Sequence, residues 1–267
     1  LVLTIPVVMR FHSSDGRLNL KLDSYFPFLK TLKQFIFYFM RHSGKALLAG
    51  LTLIARGLFI VAGIYAIGIA ARYLLDSFSA VAYLPLILWI LFSAYVFYFF
   101  RDPDPVVPQE KGVVVSPAHG KIDVIEEINE PEIFGGQCRR ISMFLSPLDV
   151  HVQNAPVSGK VTVVKHTPGK FMAAMSKDCG LHNENVLIAF ESPEVPGNKM
   201  GIRLIAGFLA RRCIPWVKPG EQVNKGDRIS IIQFGSRCDV YLPLQMKVVV
   251  NLGDKVKGGE TILAKIE

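Results

Sequence analysis

Cysteine is scarce in this chain. There are four in 267 residues (Cys138, Cys179, Cys213 and Cys238), and no two form a C-x-x-C pair. A chain this long with so few sulfurs is not built on a disulfide framework, so reduced thiols are the expectation. Histidines and acids form no group with metal-ligand spacing, and no metal is expected. Acidic residues are thin near the start, where Asp15 and Asp23 stand against Arg10, Arg17, Lys21, Lys30, Lys33, Arg41 and Lys45. From Ala80 to Phe100 there is no charge at all.

What is present is apolar mass and positive charge. Mean hydropathy is +0.35, and net charge is +8. The excess apolarity is concentrated between Ala46 and Phe100, with basic residues flanking it. That placement points to an anionic membrane surface and not to nucleic acid. A span needs about 20 apolar residues. The run Ala80–Phe100 meets this, and Gly57–Ala71 meets it when extended back through Ala46 past Arg56. A short loop joins them, so a two-helix transmembrane hairpin is expected. Its basic flanks, Lys45 and Arg101, lie on the cytoplasmic side.

The chain divides into four regions. Residues 1–45 form a basic N-terminal leader, in which Phe26–Arg41 suits a surface helix. Residues 46–100 are membrane-anchoring helices. Residues 101–111 are a Pro-rich linker, since Pro103, Pro105 and Pro108 forbid helix. Residues 112–267 turn to period 2, with β-branched runs at 112–116, 160–164, 228–232 and 247–250. A helix is expected only at Lys170–Met175. The fold class is mostly β (α+β). Two internal echoes, 116–124 with 155–163 and 217–227 with 250–260, suggest two related hammerhead-like halves whose glycines permit tight turns.

Within the β-rich region lies the dipeptide Gly235-Ser236, in Ile231-Ile232-Gln233-Phe234-Gly235-Ser236-Arg237-Cys238-Asp239-Val240. A Gly-Ser bond strained between two strands can cut itself. The serine hydroxyl attacks the glycine carbonyl, the ester eliminates, and the new N-terminus becomes a pyruvoyl group. Most Gly-Ser pairs mark ordinary turns, so the surroundings decide.

Those surroundings form an ordered set of motifs. They are Arg101-Asp102-Pro103 through Pro108, Val115-Ser116-Pro117-Ala118-x-Gly120, Ser146-Pro147-Leu148-Asp149-Val150-His151-Val152, Pro168-Gly169-Lys170-Phe171, Asn183-Glu184, Ala206-Gly207-x-x-Ala210-Arg211-Arg212 and Phe234-Gly235-Ser236-Arg237-x-Asp239-Val240. From about residue 80 onward the chain resembles the phosphatidylserine decarboxylase proenzymes, in their short bacterial form. The resemblance implies cleavage at Gly235 into chains 1–235 and 236–267, which stay together as a heterodimer. Higher oligomers are left open. It also implies a covalent pyruvoyl cofactor made from Ser236, which binds the amine of membrane phosphatidylserine as a Schiff base and serves as electron sink. The expected place of action is the cytoplasmic face of the cell membrane.

His151 is the candidate proton carrier, for Ser236 during cleavage or for the carbanion later. Asp149 lies two residues earlier. On an extended stretch both would share a face, and the acid would orient the imidazole. Some family members carry a further histidine where this chain has Asn154. The larger departure is His119, where the family pattern has aspartate. His119 acts as base on Ser236, or Asp123 or Asp149 supplies the missing carboxylate, or maturation is slow or lost. Two other readings stand beside the enzyme. One is a maturation-deficient relative that binds lipid, and the other is a membrane-tethered hammerhead-type adaptor.

Overall fold

The computed structural model describes residues 45–75, 83–170, 172, 182–207, 212–233 and 236–266. The leader up to Gly44, the helix expected at Lys170–Met175 (save Lys170 and Met172) and Gly235 lie outside the described residues.

Two apolar helices come first. Helix α1 spans Lys45–Leu75, and α2 spans Leu84–Phe99 with Pro85 in its first turn, where a missing N–H costs nothing. They pack together, and Trp89 Nε1 donates to the Ile54 carbonyl at 3.2 Å. Their outer faces carry Phe59 at 79% exposure, Ile67 at 72% and Leu91 at 61%. Helices in a soluble core would hide these side chains. Among the described residues, one helix is long and apolar enough to cross a bilayer, over Lys45–Ile69. The second run, expected to span unaided, is a helix of 16 residues, or about 24 Å against a hydrocarbon core of roughly 30 Å. Its last turn is spent on the protein. Val96, Phe99 and Phe100 are buried with Val150, Val152 and Ile231 of the following domain.

The period-2 segments become antiparallel strands. They are β1 (Val113–Val115), β2 (Gly120–Glu130), β3 (Gly136–Leu145), β4 (Val152–Asn154), β5 (Gly159–Thr167), β6 (Asn185–Glu191), β7 (Lys199–Ala206), β8 (Cys213–Pro215), β9 (Gln222–Val223), β10 (Arg228–Ile232), β11 (Ser236–Leu242), β12 (Met246–Val248), β13 (Lys255–Val256) and β14 (Ile262–Ile266). A curled sheet of eight runs β13-β2-β3-β11-β7-β6-β5-β9, and two three-stranded sheets, β4-β10-β8 and β1-β14-β12, complete the domain. The core between them is built from alternating side chains such as Ile122, Ile141, Met143, Ile188, Ile202, Cys238 and Val240.

The sheet order repeats about its centre, because β13-β2-β3-β11 mirrors β9-β5-β6-β7. The echoed sequences occupy matching places. Gly120 opens β2 and Gly159 opens β5. A Cβ at Gly120 would lie 2.5 Å from the Phe144 carbonyl oxygen, and one at Gly159 would lie 2.3 Å from that of Glu191. Only glycine admits such an approach. The edge contacts match too. Ile122 N–H donates to Asp254 O at 2.9 Å and Val161 N–H to Glu221 O at 2.9 Å.

The Pro-rich segment 101–111 is irregular, as three prolines require, yet it is strapped down. Arg228 on β10 reaches Asp102 at 2.8 and 3.0 Å and Asp104 at 2.9 Å, and it also donates to the Pro103 carbonyl.

Candidate active site

Ser236 is the first residue of β11, between Leu145 at the end of β3 and Ala206 at the end of β7. Alternation along β11 turns its side chain to the face of Cys238 and Val240, and Arg237 to the other. Ser236 is fully buried, and its Oγ has no hydrogen-bond partner among the described residues. A buried hydroxyl left unpaired costs about 1–3 kcal/mol. Such a group calls for a reason, and chemistry is one. Residues 233–235 carry the chain from the three-stranded sheet at Ile232 to the eight-stranded sheet at Ser236. Gly235, the other half of the expected cleavage site, lies outside the described residues.

His151 follows β3 by a turn. Asp149 N–H donates to the Ser146 carbonyl at 2.9 Å, and the Asp149 carboxylate accepts Ser146 N–H at 2.8 Å. This differs from the extended stretch expected at 149–151. The Asp149 carboxylate closes the turn, and it is the Asp149 main-chain carbonyl that lies 2.9 Å from His151 Nδ1. A carbonyl only accepts, so Nδ1 carries the proton of the neutral ring and Nε2 carries the lone pair. The ring is fully buried. Burial pushes its pKa down to about 4; the Asp149 contacts oppose this, while Arg101 and His119 reinforce it. At neutral pH His151 is an uncharged imidazole. Its own carbonyl accepts Ile232 N–H at 3.1 Å, which ties it to the strand leading into the Gly-Ser junction.

His119 stands between Ala118 and the start of β2, partly buried. Its pKa is also lowered to about 4, by burial first, with Arg101 and Lys257 adding to the fall and Glu260 and Asp149 opposing it. Asn154 is buried, and its Nδ2 donates to the Gly226 carbonyl at 2.8 Å. The backbone of Gly258 lies against both, since a Cβ there would meet Asn154 Oδ1 at 2.8 Å and His119 Cδ2 at 3.2 Å.

The two carboxylates weighed for His119 part company here. Asp123 forms an ion pair with Arg237, on the sheet face turned away from Ser236. Asp149 acts on both histidines. Sequence reasoning missed Glu260, the largest charge favouring protonation of His119. A signal was available, because the echo of 217–227 in 250–260 sets Gly259-Glu260 on Gly226-Asp227. The turn was readable as well, since Ser-Pro-Leu-Asp has proline at the second position of a four-residue β-turn. The covering of His151 by α2 carried no local signal.

Comparison with known proteins gives one consistent result. The family model described as phosphatidylserine decarboxylase matches residues 92–264. A phosphatidylserine decarboxylase proenzyme of Desulfotalea psychrophila is 39% identical over 204 residues, covering 76% of this chain and 94% of that protein. The proenzyme of that name from Symbiobacterium thermophilum is 38% identical over 174 residues, 65% of this chain and 80% of its own. That of Ehrlichia chaffeensis is 40% identical over 181 residues, 68% and 80% respectively.

Proposed function

The chain belongs to the phosphatidylserine decarboxylase family, and we propose that it is a self-cleaving carboxy-lyase that converts phosphatidylserine to phosphatidylethanolamine and carbon dioxide. The observation that carries this reading is the buried, unpartnered Oγ of Ser236 at a strand junction, on a chain whose strand β10 is hydrogen-bonded to the main-chain carbonyl of His151.

In the first step Ser236 Oγ attacks the Gly235 carbonyl carbon. His151 Nε2 takes the hydroxyl proton and returns it to the amide nitrogen of Ser236 as the C–N bond breaks. A ring with so low a pKa does not keep the proton, which favours its delivery. The ester then loses the Ser236 Cα proton, and Gly235 departs as a carboxylate. Hydrolysis of the resulting enamine releases ammonia and leaves a ketone on residue 236. The site fits such a group, since the Ser236 backbone is paired on both sides and its side chain asks for no protein partner. The ketone supplies the electron sink for the decarboxylation of an amine substrate. His119 stays neutral, and the negative charges of Asp149 and Glu260 stand in for the aspartate missing at its position. No residue here is asked to hold a metal.

The two pieces, 1–235 and 236–267, remain one body. The small chain holds β11 to β14, of which β11, β13 and β14 pair with β1, β2, β3 and β7 of the large one. The two related halves of the domain support a hammerhead-like description. Helix α1 crosses the membrane, with its basic flank on the cytoplasmic side, and a diacyl lipid is met where it lies.

Intact mass after denaturation tests the reading. The expected result is a fragment beginning at residue 236 with a blocked N-terminus, which borohydride links to labelled phosphatidylserine. A chain that stays at full length overturns the enzyme reading and leaves a lipid-binding relative.

A further inference from the structure

Three contacts join α2 to the turn that carries His151. Tyr95 Oη donates to the Pro147 carbonyl at 3.4 Å, Arg101 Nη2 donates to the Leu148 carbonyl at 2.6 Å, and the Phe99 ring lies 4.3 Å from the His151 ring, inclined at 32°. Tyr95 and Phe99 are four residues apart and so share a helix face; their rings are 6.1 Å apart. Arg101 lies just past the helix end, where it also takes the Tyr98 carbonyl at 2.8 Å. Phe100, edge-on to Phe99 at 5.1 Å, and Val96 anchor this face in the cluster with Val150, Val152 and Ile231.

We propose that the end of the second membrane helix is part of the active site, with Phe99 roofing His151 and Tyr95 and Arg101 clamping the turn 146–149 in place. This rests on the reading of His151 as the base for Ser236. Phe99 and His151 are both fully buried, so the ring excludes water from the imidazole. A helix needed only as a mooring would require length and apolarity, and any side chain would serve at these positions. Here Tyr95 and Phe99 of its last two turns meet Pro147 and His151, and Arg101 just beyond them meets Leu148. Phe99, Tyr95 and Arg101 are positioning residues, since they act through the turn and the imidazole and need not touch substrate. The clamp also sets the height of the site. Leu148, at 61% exposure, is joined through Arg101 to the end of α2, where Tyr98 is exposed as well, which brings the catalytic turn to the level of the lipid headgroups.

The charged and titratable groups that act on His151 are Asp149, Arg101 and His119. Phe99→Ala changes none of them and admits water. In the full-length chain, held in lipid nanodiscs with labelled histidine, the His151 titration by NMR is expected to rise from about 4 toward its ordinary 6.5. Self-cleavage at pH 7 is expected to slow at least tenfold. Leu91→Ala, on the exposed face of the helix, should leave both as they are. An unmoved His151 titration in Phe99→Ala overturns the proposal. Should that variant not fold, the double variant Tyr95→Phe with Arg101→Gln decides. Slower cleavage at an unaltered melting temperature is expected, and the parental rate refutes the clamp. If the parent itself stays uncut, the enzyme reading fails, while the titration still tests the roof.

Discussion

Acid should unfold this protein through two histidines, and the size of the effect can be worked out. His119 and His151 both have pKa values lowered to about 4 in the folded chain against an ordinary 6.5. Between those values the unfolded chain binds protons that the folded chain refuses. Stability is therefore complete above pH 6.5 and falls as pH drops toward 4. Going from pH 7 to pH 5 should cost about 2 kcal/mol for each ring, or roughly 4 kcal/mol together. For a domain of this size that corresponds to a fall in melting temperature of roughly 8–16 °C. The uncut variant Ser236→Ala is the right background, because it keeps one chain throughout. Burial raises the carboxyl pKa of Asp123 and Asp239, and a raised acid contributes with the opposite sign. The quantity to measure is thus the difference in urea midpoint between this background and the same chain with His119→Gln and His151→Gln. The substituted chain will be less stable at pH 7, but its slope with pH should be shallower by the stated amount. Equal slopes would refute the neutral, buried state of both rings.

Three further outcomes are expected. His119→Asp should speed self-cleavage, because it returns a carboxylate to the position where the family pattern has one, as a proton acceptor beside the junction; a gel time course reads it, and an unchanged rate means that position 119 takes no part. Gly258→Ala should slow cleavage without unfolding the domain, because its Cβ would press on Asn154 and His119; a parental rate would show that those side chains give way freely. Arg228→Met should cost about 3 kcal/mol by removing the guanidinium that pairs with the buried Asp102 carboxylate; a midpoint shift under about 1 kcal/mol would mean that the strap on 101–104 carries no weight.

Much of the fold was readable because it obeys local rules. Alternating β-branched residues gave strands at 112–116, 160–164 and 228–232, close to where β1, β5 and β10 lie. Gly120 and Gly159 of the first echo fell at matching strand starts. Ser236 and His151 were readable as candidates, though not as neighbours of particular groups. The Asp149 carboxylate closes a turn and its carbonyl meets His151 Nδ1, because Ser146 and Pro147 fold the segment before strand alternation can apply. Asp123 remained a candidate because face parity cannot be carried through the register shift between Ile122 and Val124; one extra residue in a strand reverses the facing of every residue after it.

The amino-acid order alone set the apolar helices, the basic flanks, the β-rich domain and the Gly-Ser pair, since each depends on side chains a few positions apart. Only the folded chain decided that Phe99 covers His151, that Glu260 acts on His119 and that Asp123 turns away toward Arg237. These partners lie 52, 141 and 114 positions apart in the chain. Their meeting depends on strand register and on how one helix end seats against a turn, and no local pattern encodes either.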